Sequence, residues 1–421
     1  MADVRPLQAI RYAPSVDLAA AVCPPFDTIS PREQDRLYAS GPHNAVRLEL
    51  PRAEDDPYAS AAGTLRGWLG DGALVRDGAP AFYVYEQEFR HAEETYRRRV
   101  LFARVRLQPW ASGAVLPHER TFSAPKEDRL NLLRALRLNT SPVFLLYRDD
   151  EQHVQPLVAR AVSSPPAAAF ADGDGLSNGL WRVDDETTVR TITRAFERET
   201  LYVADGHHRY ETALAYADEL GAGPDAAERF ALVALTAVED PGLLVLPTHR
   251  LAACDLPVDR AIDALSAVFD VETRPSLPEL MAALSERGRM LNCFGLLARG
   301  SPEFYLLSLY ETAAVDPYLP QERPPIWRQL DTAVADHVIL RYALGLSEDA
   351  MNDYDTVWFE EDAAAALAEV REGEADYALL LNSIPPRKVL AVADAGERMP
   401  QKSTFFYPKI PTGLVFNPLF G

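Results

Sequence analysis

The sequence predicts an α+β protein, with mixed sheets and flanking helices in its first half and an α/β second half. Two observations carry that expectation. Strand-like runs in residues 1–255 cluster together, whereas beyond about residue 256 helical and strand-like patterns take turns. A chain of 421 residues is also too long for one small core, so two domains are expected. These are 1–255, an α+β domain carrying an anion site, and 256–421, an α/β domain. The last extended segment of the second domain is a candidate to return to that site.

The elements follow in order. A proline-rich turn, "CPPFDTIS", leads into a helix with Ser30 as N-cap, Pro31 at the first helical position and Glu33 at the third. "AFYVYEQEFR" and "RRRVLFARVRLQPW" alternate apolar with polar residues, so they form neighbouring strands, with the charged "HAEETY" as the hairpin connection. "VLPHERTFSAPKEDRLNLLRALRLNTSPVFLLY" reads as a loop, a helix from about Pro125 to Leu138, and a strand. Residues 161–180, rich in Pro, Ala, Gly and Ser, are expected to be a surface excursion. "FERETLYVADGHHR" is a buried strand entering a turn, and "AERFALVALTAVEDPGLLVLPTHRL" supplies two apolar strands around a Pro-Gly turn. Downstream, "VDRAIDALSAVF", "SLPELMAALSERG", "LDTAVADHVILRYALGL" and "DAAAALAEVREG" are helical. "LNCFGLLARGSPEFYLLSLY" is a hairpin, and "STFFYPKIPTGLVFNPL" is extended.

Composition narrows the partners. Hydrophobic residues make up 48% and charged ones 25%, as in ordinary globular proteins. The formal net charge of −20 disfavours nucleic acid and anionic membrane surfaces, both of which require basic patches. Cys23, Cys254 and Cys293 are far apart and show no zinc-like spacing, so they are expected to be reduced thiols. No run has signal-peptide or membrane-span length, and the expected location is the cytoplasm.

The densest chemistry lies in "LYVADGHHRYETALAYADEL". Tyr210, Ala213, Leu214, Ala217 and Leu220 mark one helix face, so Asp205 to Arg209 occupy a strand-to-helix turn. Asp205 is the expected N-cap, and Gly206 permits close backbone approach. His207, His208 and Arg209 place donors at a helix start that already favours anions. The adjacent histidines diverge by ~100° on a helix and do not share a metal ion. A second cluster, "LPHERTFSAPKEDR", contributes His118, Glu119, Thr121 and Lys126: a base, an alcohol and a phosphate ligand candidate. "LPTHRL" contributes Thr248, His249 and Arg250, "CPPFDTI" contributes Asp27, and "NAVRL" contributes Asn44 and Arg47. "KSTFFYPK", with Lys402 and Lys409, reads as an edge strand kept soluble by lysines. Walker, Rossmann, protein-kinase and nucleophile-elbow signatures are absent.

Taken in order, "CPPFDTIS", "NAVRLEL", "YVYEQEF", "VLPHERT", "PKEDRL", "NTSPVFLLY", "VADGHHRYETAL", "DPGLLVLPTHRL" and "KSTFFYPKIPTGL" resemble the prokaryotic family catalogued as domain of unknown function ten-fifteen. The resemblance runs from about residue 5 to 418. The "ADGHHR" block is also similar to the signature of free-serine kinases of the ParB/sulfiredoxin-like fold. That likeness implies a ParB/sulfiredoxin-like core with large insertions. It also implies a phosphate site lined by Asp205, Gly206, His207, His208 and Arg209, and a glutamate base, for which Glu119 is the first candidate and Asp27 the second.

The function expected from these residues is transfer of a phosphoryl group from ATP or ADP to a small hydroxyl metabolite, L-serine first. Glu119, His208 and Asp27 are the catalytic candidates. Lys126 joins residues 205–209 on phosphate, and Asn44, Arg47, His118, Thr121, Thr248, His249 and Arg250 are the substrate-binding candidates. Magnesium is expected to arrive with the nucleotide phosphates, with no dedicated protein ligands. A small-molecule hydrolase using the same anion site and a nucleotide-sensing protein without turnover are the alternatives. The oligomeric state stays open.

Overall fold

The computed structural model describes residues 1–119, 124–173 and 175–420, without the side chains of 124–126. The chain is a mixed α+β protein in two compact units. The first is built from Met1–Pro117, most of the stretch up to Leu244, and the C-terminal segment from Pro408. The second is built from Val245–Tyr407 together with His118 and Glu119. Among the described residues no helix is long and apolar enough to cross a membrane.

The first unit is organised by a nine-stranded sheet. Its strands are β1 (Val4–Arg5), β2 (Phe82–His91), β3 (Glu94–Arg106), β4 (Val115–Leu116), β5 (Val143–Tyr147), β6 (Ala168–Ala171), β7 (Ser177–Val183), β8 (Leu201–Asp205) and β9 (Phe230–Ala237). The order is β4-β8-β5-β9-β3-β2-β7-β6, with β1 added to β3. β9 runs parallel to β5 and antiparallel to β3, and all eight of its residues are buried. That explains its unbroken apolar run, since a strand covered on both faces has no polar side to show. β2 and β3 form the expected hairpin, and Ala92 takes a φ of +51° at its turn.

Residues 161–180 depart from the expected surface excursion, because Ala168–Ala171 and Ser177–Val183 pair antiparallel as a sheet edge. Small residues hid the alternation there. The helices that shape the site are α1 (Pro31–Ser40), α2 (Pro57–Gly70), α3 (Ala124–Leu136) and α4 (His207–Glu219). Ser30 caps α1 by accepting from Glu33 N at 3.2 Å, as its sequence requires. α3 stops at Leu136, short of the expected Leu138. Arg137 turns left-handed (φ +48°), and Leu138–Asn139 pairs with Asn417–Pro418.

The second unit has a six-stranded sheet of β10 (His249–Ala252), β11 (Asp270–Arg274), β12 (Cys293–Ala298), β13 (Phe304–Ser308), β14 (Val357–Glu360) and β15 (Tyr377–Leu380). Its order is β11-β13-β12-β15-β10-β14. β12 and β13 are the expected hairpin. The helix expected in "LDTAVADHVILRYALGL" begins as α5 (Asp331–Val334) but continues as a π-helical stretch, Ala335–Ala343. Hydrophobic periodicity does not distinguish the two windings, and π-helical turns often accompany functional sites.

Candidate functional site: an ion-paired strand-to-helix turn

In the first unit the site begins with a disturbance in β8. Tyr202 pairs with Leu146 and Val203 with Leu145, but Asp205 then pairs with Phe144, so the ladder bulges between Val203 and Asp205. A bulge bends the strand and re-aims the side chains beyond it. Gly206 follows with φ +87° and serves as the N-cap of α4. A Cβ there would meet Arg209 Cζ and Nε at 2.9 Å, so both the backbone conformation and the guanidinium demand glycine.

Asp205 therefore does not cap the helix, contrary to the expectation from its position. Its Oδ2 accepts from Arg209 Nη2 at 2.5 Å, one helical turn on, and its Oδ1 accepts from Lys409 Nζ at 2.8 Å. The Lys409 and Asp205 side chains are only 17% and 19% exposed. Burial would push the Asp205 carboxyl up, but Lys409 and Arg209 outweigh it and hold the group well below the usual carboxylate range. Burial pulls the Arg209 guanidinium down, and Asp205, Asp27 and Glu49 more than offset it. Arg209 Nη1 also donates to the Pro142 carbonyl. The buried Arg98 fixes Lys409 in place by donating to the Pro408 carbonyl at 2.6 Å.

Around this turn lies a layer of buried polar groups. Ser141 Oγ donates to Glu49 Oε1 at 2.5 Å, and Arg129 Nη1 donates to the Glu49 carbonyl at 2.8 Å. The Arg129 guanidinium lies 4.3 Å from the centre of the Phe26 ring, next to Asp27. A cavity of about 60 Å³ is lined by Glu49, Arg129, Ser141, Arg209 and Thr212. It is far smaller than a metabolite pocket, so it does not serve as the substrate site. His207 is buried at the helix start and His208 is half-buried beside it.

Asn44 and Arg47, expected on substrate, hold their own segment. Asn44 Nδ2 donates to the Ala20 and Val22 carbonyls at 2.7 and 3.1 Å, and Arg47 Nη2 donates to the Tyr38 carbonyl at 2.8 Å. Thr121 lies outside the described residues, as does the side chain of Lys126.

The second unit brings together residues from three motifs. His118 Nε2 is 3.0 Å from Thr404 Oγ1 and 3.7 Å from Glu119 Oε1, and the Ser403 N–H donates to Glu119 Oε1 at 3.2 Å. Ser403 Oγ donates to the Pro400 carbonyl at 2.6 Å and to Thr332 Oγ1 at 3.1 Å.

Arg250, 1% exposed, is enclosed by acceptors. Its Nη1 donates to the Thr248 and Lys402 carbonyls at 2.6 and 3.2 Å, its Nη2 to Gln401 O at 3.4 Å, and its Nε to Asp336 Oδ1 at 3.3 Å. Burial pushes the Asp336 carboxyl up, and Arg250 counters it. His249 Nδ1 accepts from Leu381 N at 3.1 Å, and burial, helped by Arg250, draws its pKa down to about 4. Among the described residues the buried Thr248 hydroxyl has no hydrogen-bond partner.

The sequence reading had Lys409 only as an edge-strand lysine and Arg129 only as part of the charged "LPHERTFSAPKEDR" stretch, and it did not single out Glu49, Ser141 or Asp336. Of these three, only Glu49 left a local signal, a carboxylate set between two leucines in "RLEL".

A family model described as "Protein of unknown function (DUF1015)" matches residues 4–333. The chain has no match among curated proteins. Similar solved structures include a conserved hypothetical protein from Pyrococcus furiosus, 16% identical over 72% of this chain and 92% of that one, with a TM-score of 0.33. A free serine kinase in complex with AMP is 14% identical, covering 72% and 89%, with a TM-score of 0.33. SbnI with a C-terminal truncation, from Staphylococcus aureus, is 11% identical, covering 73% and 84%, with a TM-score of 0.35. With TM-scores this low, any functional reading rests on the site's own geometry.

Proposed function

The chain belongs to the family described as protein of unknown function (DUF1015), and from its site we propose a phosphotransferase. It moves a phosphoryl group from ATP or ADP to the hydroxyl of a small metabolite, with L-serine as first candidate. One observation carries the reading: two cations, Arg209 and Lys409, converge on the single carboxylate of Asp205 at the start of α4. At this corner two cations therefore stand at the positive end of a helix dipole, with Asp205, Asp27 and Glu49 around Arg209, inside a protein of net charge −20.

Phosphoryl transfer asks mainly for positioning and charge neutralisation, which such a corner supplies. In this reading the first amides of α4 and the Arg209 and Lys409 cations hold the donor phosphates. Asp205 holds both cations in place. The acceptor oxygen forms the new bond to phosphorus as the terminal phosphate parts from the nucleotide. The hydroxyl proton passes to a carboxylate, either Asp27, in the same unit as α4, or Glu119, which the motif resemblance favours.

Among the described residues no three His, Cys, Asp or Glu side chains form a ready metal cage. In this reading magnesium enters with the nucleotide phosphates. The resemblance of the 205–209 block to free-serine kinases supports L-serine as acceptor, and with it a ParB/sulfiredoxin-like core around β8 and α4.

The test is a coupled assay of purified protein with magnesium, ATP or ADP and a panel of hydroxyl metabolites. Acceptor-dependent turnover that Arg209→Ala abolishes is the expected result. Nucleotide binding without turnover would replace the reading by a sensor, and hydrolysis without an acceptor would replace it by a hydrolase.

A further inference from the structure

The small cavity beside the strand-to-helix turn holds two polar atoms that the fold leaves unanswered. Arg209 Nε and Thr212 Oγ1 are both buried, and among the described residues neither has a hydrogen-bond partner. Residues three apart on a helix share a face, and both side chains line the cavity of about 60 Å³. Thr212 is only 5% exposed. Buried polar groups in folded proteins are nearly always paired, so two orphans in one cavity point to an occupant that pairs them.

The rest of the Arg209 guanidinium is engaged within the same unit. Nη1 donates to the Pro142 carbonyl and Nη2 to Asp205 Oδ2, which leaves Nε as the nitrogen without an acceptor. Glu49, 2% exposed, lines the cavity as well. Its Oε1 accepts from Ser141 Oγ, which in turn lies 2.6 Å from Thr412 Oγ1. Its Oε2 has Arg129 Nη1 at 3.6 Å and accepts no hydrogen bond among the described residues.

These groups define the chemistry of the occupant. Arg209 Nε needs an acceptor, Glu49 Oε2 needs a donor, and a threonine hydroxyl serves either way. An anion would pair Arg209 but add charge among Asp205, Asp27 and Glu49, which already surround that guanidinium. A cation would pair Glu49 but face the guanidinium groups of Arg129 and Arg209. A neutral oxygen that both donates and accepts answers all three. Water is such an oxygen, and at about 10–15 Å³ each the cavity has room for several.

We propose that this cavity is a buried water site, and that Thr212 and Glu49 are positioning residues that fix the Arg209 guanidinium through that water. The hydroxyl and the carboxylate oxygen hold the water, and the water holds Nε, the third anchor after Pro142 and Asp205. The positioning role rests on the phosphotransferase reading, in which Arg209 meets the donor phosphates. The water site stands apart from it.

The test uses the full chain with Thr212→Val, which keeps the shape and removes the hydroxyl, and Thr212→Ser, which keeps the hydroxyl and removes a methyl group. Thermal unfolding is measured for each, ADP is titrated by calorimetry with magnesium, and the wild-type protein is crystallised to locate solvent. A water oxygen about 2.7–3.2 Å from both Arg209 Nε and Thr212 Oγ1 is expected. Thr212→Val should melt about 2 °C or more below wild type, because the water loses an anchor. In a dry cavity the same change removes an orphaned hydroxyl, so an unchanged or higher melting temperature would overturn the water site. Thr212→Val should bind ADP about threefold or more weakly and Thr212→Ser within about twofold of wild type, the order that a packing role would reverse. Unchanged ADP affinity in Thr212→Val would overturn the positioning role. A wild-type protein that binds no ADP would overturn the phosphotransferase reading and the positioning role together, and the melting temperatures and the crystal would still decide the water site.

Discussion

Lys409 Nζ stands 2.8 Å from Asp205 Oδ1, so a residue twelve positions from the C-terminus completes the turn that opens α4. The pair, with Arg209 on the other carboxylate oxygen, is more than four-fifths buried. Removing Lys409 leaves Asp205 with Arg209 as its remaining cation and its Oδ1 without a buried donor. Lys409→Met should lower the unfolding free energy by about 1–3 kcal/mol, read by urea denaturation. A change below about 0.5 kcal/mol would mean that the pair is screened like a surface bridge.

Gly206 is constrained twice, by a φ of +87° and by the Arg209 guanidinium over its α-carbon. Gly206→Ala should therefore cost about 1–2 kcal/mol from the left-handed backbone. It should also push Arg209 off Asp205 and weaken ADP binding. Calorimetric titration beside denaturation separates the two effects. Unchanged nucleotide affinity in a destabilised variant would detach Arg209 from phosphate binding.

His249 predicts a pH dependence of stability. Its folded pKa, near 4, lies below the ordinary 6.5, so below pH 6.5 the unfolded chain binds a proton that the folded chain refuses. The contribution is fully present above pH 6.5 and is lost as pH falls toward 4. The slope is at most ~1.4 kcal/mol per pH unit, and the total is about 3 kcal/mol. His249→Gln should be flatter than wild type across that window. Parallel curves would show that another group dominates.

The proton acceptor is separable by substitution. Glu119→Gln and Asp27→Asn should each retain ADP binding within about threefold. The variant lacking the true base should lose 10²–10⁴-fold in turnover, the range typical of general-base removal. Equal small losses in both would remove carboxylate base catalysis from the account.

Much of the fold was legible locally. The β2–β3 hairpin, the Ser30 cap and the strand-to-helix turn each follow from a short pattern of residues. What escaped was non-local. No pattern around residue 205 announces that its partner lies 204 positions downstream. The cap expectation failed for the same reason, since Arg209 and Lys409 draw Asp205 away from the helix amides. Apolar spacing could not separate the α from the π winding at residues 331–343, which sets Thr332 and Asp336 against the Lys402 segment. Arg250 looked like a ligand because its burial and its four acceptors arise only from tertiary packing.

The most direct test of the central claim is phosphorus NMR of the purified protein with magnesium, ATP or ADP, and L-serine, run beside Arg209→Ala. The account predicts an O-phosphoserine resonance that grows with time in the wild type and is absent from the variant. Intact nucleotide and no phosphoester with any hydroxyl acceptor would contradict it.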